Sequence, residues 1–195
     1  MRTRTIAACL SFTVATCAAA AASTRPGGAL PDAGAQAGAY CVQTGGVVEH
    51  RVPEYGTNGP SALRLAGAAD FCQYTSSTDG SRIHVLLETL YATKPSLAAL
   101  AYYAAPKLHK HSGGGNPASY YCSQLGGSDL FGGAKDPAGG GWYLKGATDE
   151  VLEACIFPDM SSIDSWGLAY HSAKIVRGID LSQVLRYKGP SNSKR

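Results

Sequence analysis

Tyr40-Cys41-Val42-Gln43-Thr44-Gly45-Gly46 returns later in the chain as Tyr121-Cys122-Ser123-Gln124-Leu125-Gly126-Gly127, with five of the seven positions identical. A second cysteine follows each stretch at nearly the same distance, Cys72 after the first and Cys155 after the second. Chance readily supplies one cysteine–glycine match; the matched second cysteine makes duplication the better account. Four cysteines alone allow three connectivities. The repeat selects one of them, in which each copy closes its own bridge, Cys41–Cys72 and Cys122–Cys155. Closing loops of this length contributes ~3–4 kcal/mol in the chain-entropy treatment, a large share for a module with a small core.

Residue types around the repeat predict its local structure. Asn116 is a good N-cap, and Pro117 suits the first helical position, where its missing N–H is not needed. Ala118, Tyr121, Cys122 and Leu125 fall on one face of the helix that follows, and Gly126 can take the left-handed conformation that ends it. The first copy repeats that face with Ala37, Tyr40, Cys41 and Thr44 and stops at Gly45, but has Ala35-Gln36 in place of the Asn-Pro start. Residues 47–52 and 151–157 read as strands, and 63–74 contains the strand that carries Cys72. The run 82–91 fits strand and helix equally. Residues 93–104 read as a capped helix behind Ser96, Pro158-Asp159 as a turn, and 161–171 as a short helix holding Trp166.

The fold class expected is α+β, built as two small related helix-strand-strand-helix modules, each closed by one disulfide. The modules span residues 37–105 and 116–188 and are joined by the glycine-rich linker 106–115. A flexible tether at 23–36 precedes them and a frayed tail at 189–195 follows.

The N-terminus predicts export. Arg2 and Arg4 precede an uncharged stretch at 6–22 that ends in an alanine run, the order of a secretory signal peptide (residues 1–22). The stretch is too alanine-rich and too short to read as a membrane span. Cys17, after Val14-Ala15-Thr16, loosely matches a lipobox and is a candidate lipidation site, with Thr16 standing where a smaller residue is usual. The expected location is periplasmic or secreted, with a lipid anchor to the outer membrane if Cys17 is acylated. The whole chain carries +3, of which the signal's two arginines supply two. No basic patch interleaves with aromatics, which argues against nucleic acid as a partner. The membrane enters only through the lipid anchor.

The second copy resembles a family. Asn116-Pro117-Ala118-Ser119, Tyr121-Cys122, Gly126-Gly127 and Cys155-Ile156-Phe157-Pro158-Asp159, with Trp166 beyond, are similar to the small bacterial family known as domain of unknown function 333. The likeness is close over 116–171 and extends to 35–91 only through the cysteine and glycine frame. Met160 departs from it by replacing the usual glycine, and the further cysteines near the tryptophan are missing. The resemblance implies a short exported protein. It brings no catalytic residues, and the hemolysin label some members carry implies little, since nothing in this sequence looks pore-forming.

Motifs for known chemistry are absent. There is no Gly-x-Ser-x-Gly elbow, Ser-x-x-Lys, phosphate loop or dinucleotide fingerprint. His109 and His111 lack the further ligands of a closed metal site, His50, His84 and His171 stand apart in sequence, and the cysteines lack close Cys-x-x-Cys spacing. No cofactor is expected. Asp149, Glu150, Glu153, Asp159 and Asp164 cluster in sequence, and read first as caps, turns and solvated positions. Trp166 and the pairs Tyr102-Tyr103 and Tyr120-Tyr121 read first as core aromatics with polar tips.

Three functions fit, each with its own structural mark. A non-catalytic binding or interaction module for an envelope protein or ligand leads, and an exposed apolar groove between the copies would favour it. An inhibitor of exported hydrolases would present an ordered loop at 132–141. A hydrolase using Asp149, Asp159 or Asp164 would show a pocket lined by facing carboxylates.

Overall fold

The computed structural model describes residues 32–65, 67–107, 115–129, 139–144 and 147–190, with backbone alone at 148 and 149. The expected signal peptide with Cys17, most of the tether, His109, His111 and the last five residues lie outside them.

The first half of the chain begins with α1 (Ala33–Gln43), β1 (Val47–Tyr55), the two-residue β2 (Leu63–Arg64) and β3 (Ala69–Thr75). It continues with β4 (Arg82–Leu86), α2 (Leu87–Tyr91) and α3 (Leu97–Ala104). The second half runs through α4 (Pro117–Gln124), β5 (Gly140–Leu144), β6 (Ala147–Leu152) and β7 (Ala154–Ile156). It ends with β8 (Ser162–Asp164), α5 (Ser165–Ser172) and α6 (Leu181–Val184). The chain is therefore α+β.

Several boundaries differ from those expected. Helix α1 starts inside the stretch assigned to the tether, because Asp32 caps it by accepting from the Gly34 N–H. The run 82–91 is strand and then helix, turning at Leu86. The strand expected at 151–157 is two strands interrupted at Glu153, and 161–171 opens with β8 before its helix. Asn116 caps α4 as expected, accepting from Ala118 and Ser119. Each half carries more strands than the two expected.

Among the described residues all pairings are antiparallel, in one sheet of eight strands ordered β6-β5-β1-β3-β4-β8-β7, with β2 on β1. The two halves share it: β1 pairs with β5 through Pro53↔Trp142, and β4 with β8 through Val85↔Ile163. The strands at the two ends of this order, β6 and β7, are separated in sequence by Glu153 alone, so the sheet curls until its ends meet. Residues paired across strands share a face, and the faces differ in kind. The convex face carries Cys72, Tyr74, Ile83, Val85, Cys155 and Ile163, all buried beneath the helices in the main core. The concave face is apolar at one end, where Phe71, Trp142, Leu152 and Ala154 pack together, and polar at the other.

Both disulfides are formed, Cys41–Cys72 and Cys122–Cys155, across sequence separations of 31 and 33 residues. They mark a protein of an oxidising compartment, outside the cytoplasm. Among the described residues no helix is long and apolar enough to cross a membrane. The two bridges have the same surroundings. The Gly46 and Gly127 amides donate to the carbonyls of Cys41 and Cys122, at 2.9 and 3.0 Å. A methyl group on either glycine would lie 2.9 Å from the helix cysteine's sulfur and closer still to that of the strand cysteine. Gly127→Ala should therefore lower stability by ~1–3 kcal/mol, the usual cost of overpacking a filled site. Urea unfolding should show a lower midpoint at unchanged slope; an unchanged midpoint would contradict this packing.

Candidate functional site

The polar end of the concave face is assembled from alternate residues of strands that otherwise read as apolar. Glu49 and Arg51 come from β1, Gln73 from β3, Arg82 and His84 from β4, and Asp164 from the end of β8. Arg51 is only 1% exposed and Glu49 8%, so neither charge could persist there without partners. The Arg51 guanidinium donates twice to Glu49, through Nε at 2.8 Å and Nη2 at 2.7 Å. Through Nη1 it donates to the carbonyls of Trp142 and Glu150, each at 2.9 Å. It thereby ties β1 to both β5 and β6. Gln73 donates to the other Glu49 oxygen at 2.8 Å.

His84 lies between two carboxylates, with Nε2 3.2 Å from Glu49 and Nδ1 3.4 Å from Asp164. Burial alone would lower its pKa; the hydrogen bonds to Asp164 and Glu49 outweigh that and raise it. Burial would raise Glu49, but His84 and Arg51 hold it below the usual carboxylate range. Asp164 has a second task as N-cap of α5, accepting from Gly167 N–H at 3.0 Å.

Outside this network lies a recess of about 320 Å³. Arg51, His84 and Asp164 line it, and Arg82, Glu150, Glu153, Trp166 and Arg177 complete its polar and aromatic wall. Arg82 pairs with Glu150 at 2.9 Å. Burial raises the Glu153 carboxyl above its ordinary value, and hydrogen bonds from Asn116 and Trp166 offset part of the rise. Arg177 comes from the segment after α5. Its Nε donates to the Arg82 carbonyl at 3.3 Å, and its guanidinium sits 5.2 Å from the Tyr170 ring centre. The next residue, Gly178, permits this approach: it has φ +63°, its amide donates to Ser81 Oγ at 3.1 Å, and a Cβ there would strike β3 and β4.

The acids grouped in sequence are thus divided in space. Asp164 and Glu153 reach the recess with Glu150. Asp159 does not: it accepts from Leu97 N–H at 2.8 Å and from Ser161, and holds the start of α3. The Asp149 side chain lies outside the described residues. Among the motif residues, Asn116 donates to Glu153, Trp166 lines the recess, and Phe157 is in the main core. Met160 has φ +63°, a conformation that glycine adopts without strain.

Tyr102 and Tyr121 are core residues with polar tips, the former bonded to Asp180 and the latter to the Pro106 carbonyl. Among the described residues no group of His, Cys, Asp and Glu could hold a metal. A shallow apolar groove of about 430 Å³ lies between the halves, lined by Leu97, Leu100, Leu125, Phe157 and Pro158. The loop expected at 132–141 is described only from 139, and Gly140 and Gly141 belong to β5 instead.

Sequence reasoning missed Glu49, Arg51, Arg82 and Arg177, and noticed His84 only as one histidine among five. The available signal was the opposite charges of Glu49 and Arg51, two residues apart on one face of the predicted strand Val48-Glu49-His50-Arg51-Val52. No protein-family model, curated protein or solved structure matches this chain.

Proposed function

We propose that the chain is an exported envelope protein that binds a small polar ligand in the recess at the polar end of its curled sheet and performs no chemistry on it. The observation that carries this reading is the state of the recess side chains. Each carboxylate facing the recess is already engaged: Asp164 by His84 and Gly167, Glu150 by Arg82, and Glu153 by Asn116. His84 is likewise engaged, held between the Glu49 and Asp164 carboxylates. What remains is a rigid polar wall with an aromatic side, which suits recognition.

The scaffold reads as two copies of one module. Matched glycines lie under matched disulfides, and β4 and β8, the strands preceding α2 and α5, pair through Val85 and Ile163. A distant relationship to domain of unknown function 333 rests on the motif and on the positive φ at Met160. The signal peptide and the candidate lipid anchor at Cys17 stay in the proposal as read from sequence.

A hydrolase is the second reading, favoured by the raised Glu153 carboxyl close to Asp164. One experiment separates the two. Thermal unfolding of the mature protein is followed across panels of saccharides, amino acids, dipeptides and inorganic anions, with each compound then analysed for breakdown. One class is expected to raise the melting temperature saturably and to be recovered intact. Release of products would replace the binding reading with the hydrolase, and no shift from any class would remove it.

A further inference from the structure

We infer that the recess takes a ligand through a single free carboxylate, held by the guanidinium group of Arg177; this rests on the binding reading above. Arg177 is the anchor. Among the described residues it has no carboxylate within ion-pair distance, whereas Arg51 and Arg82 each have one. A half-buried guanidinium left without an anionic partner is a ready site for a planar anion, which its fork of donors matches in two parallel bonds.

The site is built rather than incidental. Arg51, His84 and Asp164, each more than nine-tenths buried, form its floor. Arg177 is fixed from three sides, by the Arg82 carbonyl, by the Tyr170 ring and by the close approach of Gly178 to β3 and β4. Its Nε bond to the Arg82 carbonyl fixes the Arg177 guanidinium against β4 at one edge of the recess.

The carboxylates of the lining limit the charge of the ligand. Glu150 and Asp164 also face the recess, and a phosphate dianion would meet like charge there. A monoanion carrying hydroxyl or amine donors would instead offer those donors to Glu150 and Glu153. Trp166, with Tyr170 5.8 Å away between ring centres, supplies an aromatic side for the body of the ligand. A volume of about 320 Å³ is at the small end of ligand pockets, which suits one sugar ring or a dipeptide. A hexuronic acid and the C-terminus of a short peptide share this chemistry.

Calorimetric titration of the mature, oxidised protein tests the inference and distinguishes the sources. The probes are glucuronate against glucose, alanyl-alanine against its C-terminal amide, and inorganic phosphate. At least one carboxylate should bind, and its neutral counterpart should bind about tenfold or more weakly, a difference of about 1.4 kcal/mol. The carboxylate that binds identifies the source. Arg177→Ala should weaken that ligand by a similar factor, and Arg177→Lys should restore part of the loss, since it keeps the charge without the fork. The comparison of charged with neutral probes on the unaltered protein stands even if a variant folds poorly. Equal binding of charged and neutral probes, phosphate binding tighter than either carboxylate, or no binding of any probe would each overturn the carboxylate clamp. If the thermal panel still finds a ligand, the binding reading survives that failure; if the panel also finds none, both fall.

Discussion

Arg51→Ala is expected to lower the unfolding free energy by about 3–5 kcal/mol, the range for breaking a buried ion pair from one side. The substitution removes more than a charge. Glu49 would stay buried with Gln73 and His84 as its remaining partners, and the Trp142 and Glu150 carbonyls would each lose a donor. Because Arg51 ties β1 to β5 and β6, the loss should fall on the curl of the sheet. The secondary structure should persist in the far-ultraviolet spectrum while the near-ultraviolet signal of Trp142 and Trp166 weakens. Equilibrium unfolding in urea measures the energy, and wild-type stability in Arg51→Ala would show that the network does not depend on its arginine. Replacing Glu49 and Arg51 together by apolar residues of similar volume should cost less than Arg51→Ala alone, since neither charge is then left without the other and His84 keeps Asp164.

Removing the second bridge, by Cys122→Ala with Cys155→Ala, should cost about 2–5 kcal/mol. The sequence separation of 33 residues makes the constraint on the unfolded chain substantial, and the sulfurs sit in the main core, so packing is lost as well. Total stability of ordinary domains is only ~5–15 kcal/mol, so the double variant should melt far below the parent. All four bridge cysteines are 0% exposed, whereas working redox cysteines are accessible. The parent protein should therefore show no activity in insulin reduction. Catalysed thiol–disulfide exchange by the purified parent would make the bridges functional rather than structural.

How far the structure could be read from the sequence depended on whether the deciding interactions were local. The cap at Asn116, the stop at Gly126 and the helix after Ser96 are decided within a few residues, and each lies where the sequence places it. The disulfide pairing is long-range, yet a repeat makes it legible. The run 82–91 read as ambiguous because it contains both a strand and a helix. Strand β5 was missed: Gly140-Gly141-Trp142-Tyr143-Leu144 opens with two glycines, and its strand conformation comes from β1 on one side and β6 on the other. Tertiary pairing there overrides local preference.

The recess was illegible for a different reason. Alternation separates two faces of a strand but does not say which is enclosed, and in β4 both faces are covered at Ile83, His84 and Val85. Nothing in the sequence therefore marks Glu49, Arg51 or His84 as facing an enclosed space. Only the curl, set by the chain passing from β6 to β7 through Glu153, turns them inward. Arg177 reaches the site from a segment with no motif at all.

The pairing of β1 with β5 and of β4 with β8 also orders events in time. A polypeptide is made from its N-terminus, so α1, β1 and β3 can come together before the second half is complete, and the Cys41–Cys72 bridge closes once they reach the oxidising compartment. The far edge of β1 must wait for residues 140–144, and that of β4 for residues 162–164. Until then Glu49 and Arg51 face water from an unfinished sheet. Pairing between distant parts of a chain is slow, so this interval is the period in which the nascent protein is most exposed to proteases and to wrong partners. The recess is the last thing to exist, because its walls come from strands of both halves and from Arg177, which is made after all of them.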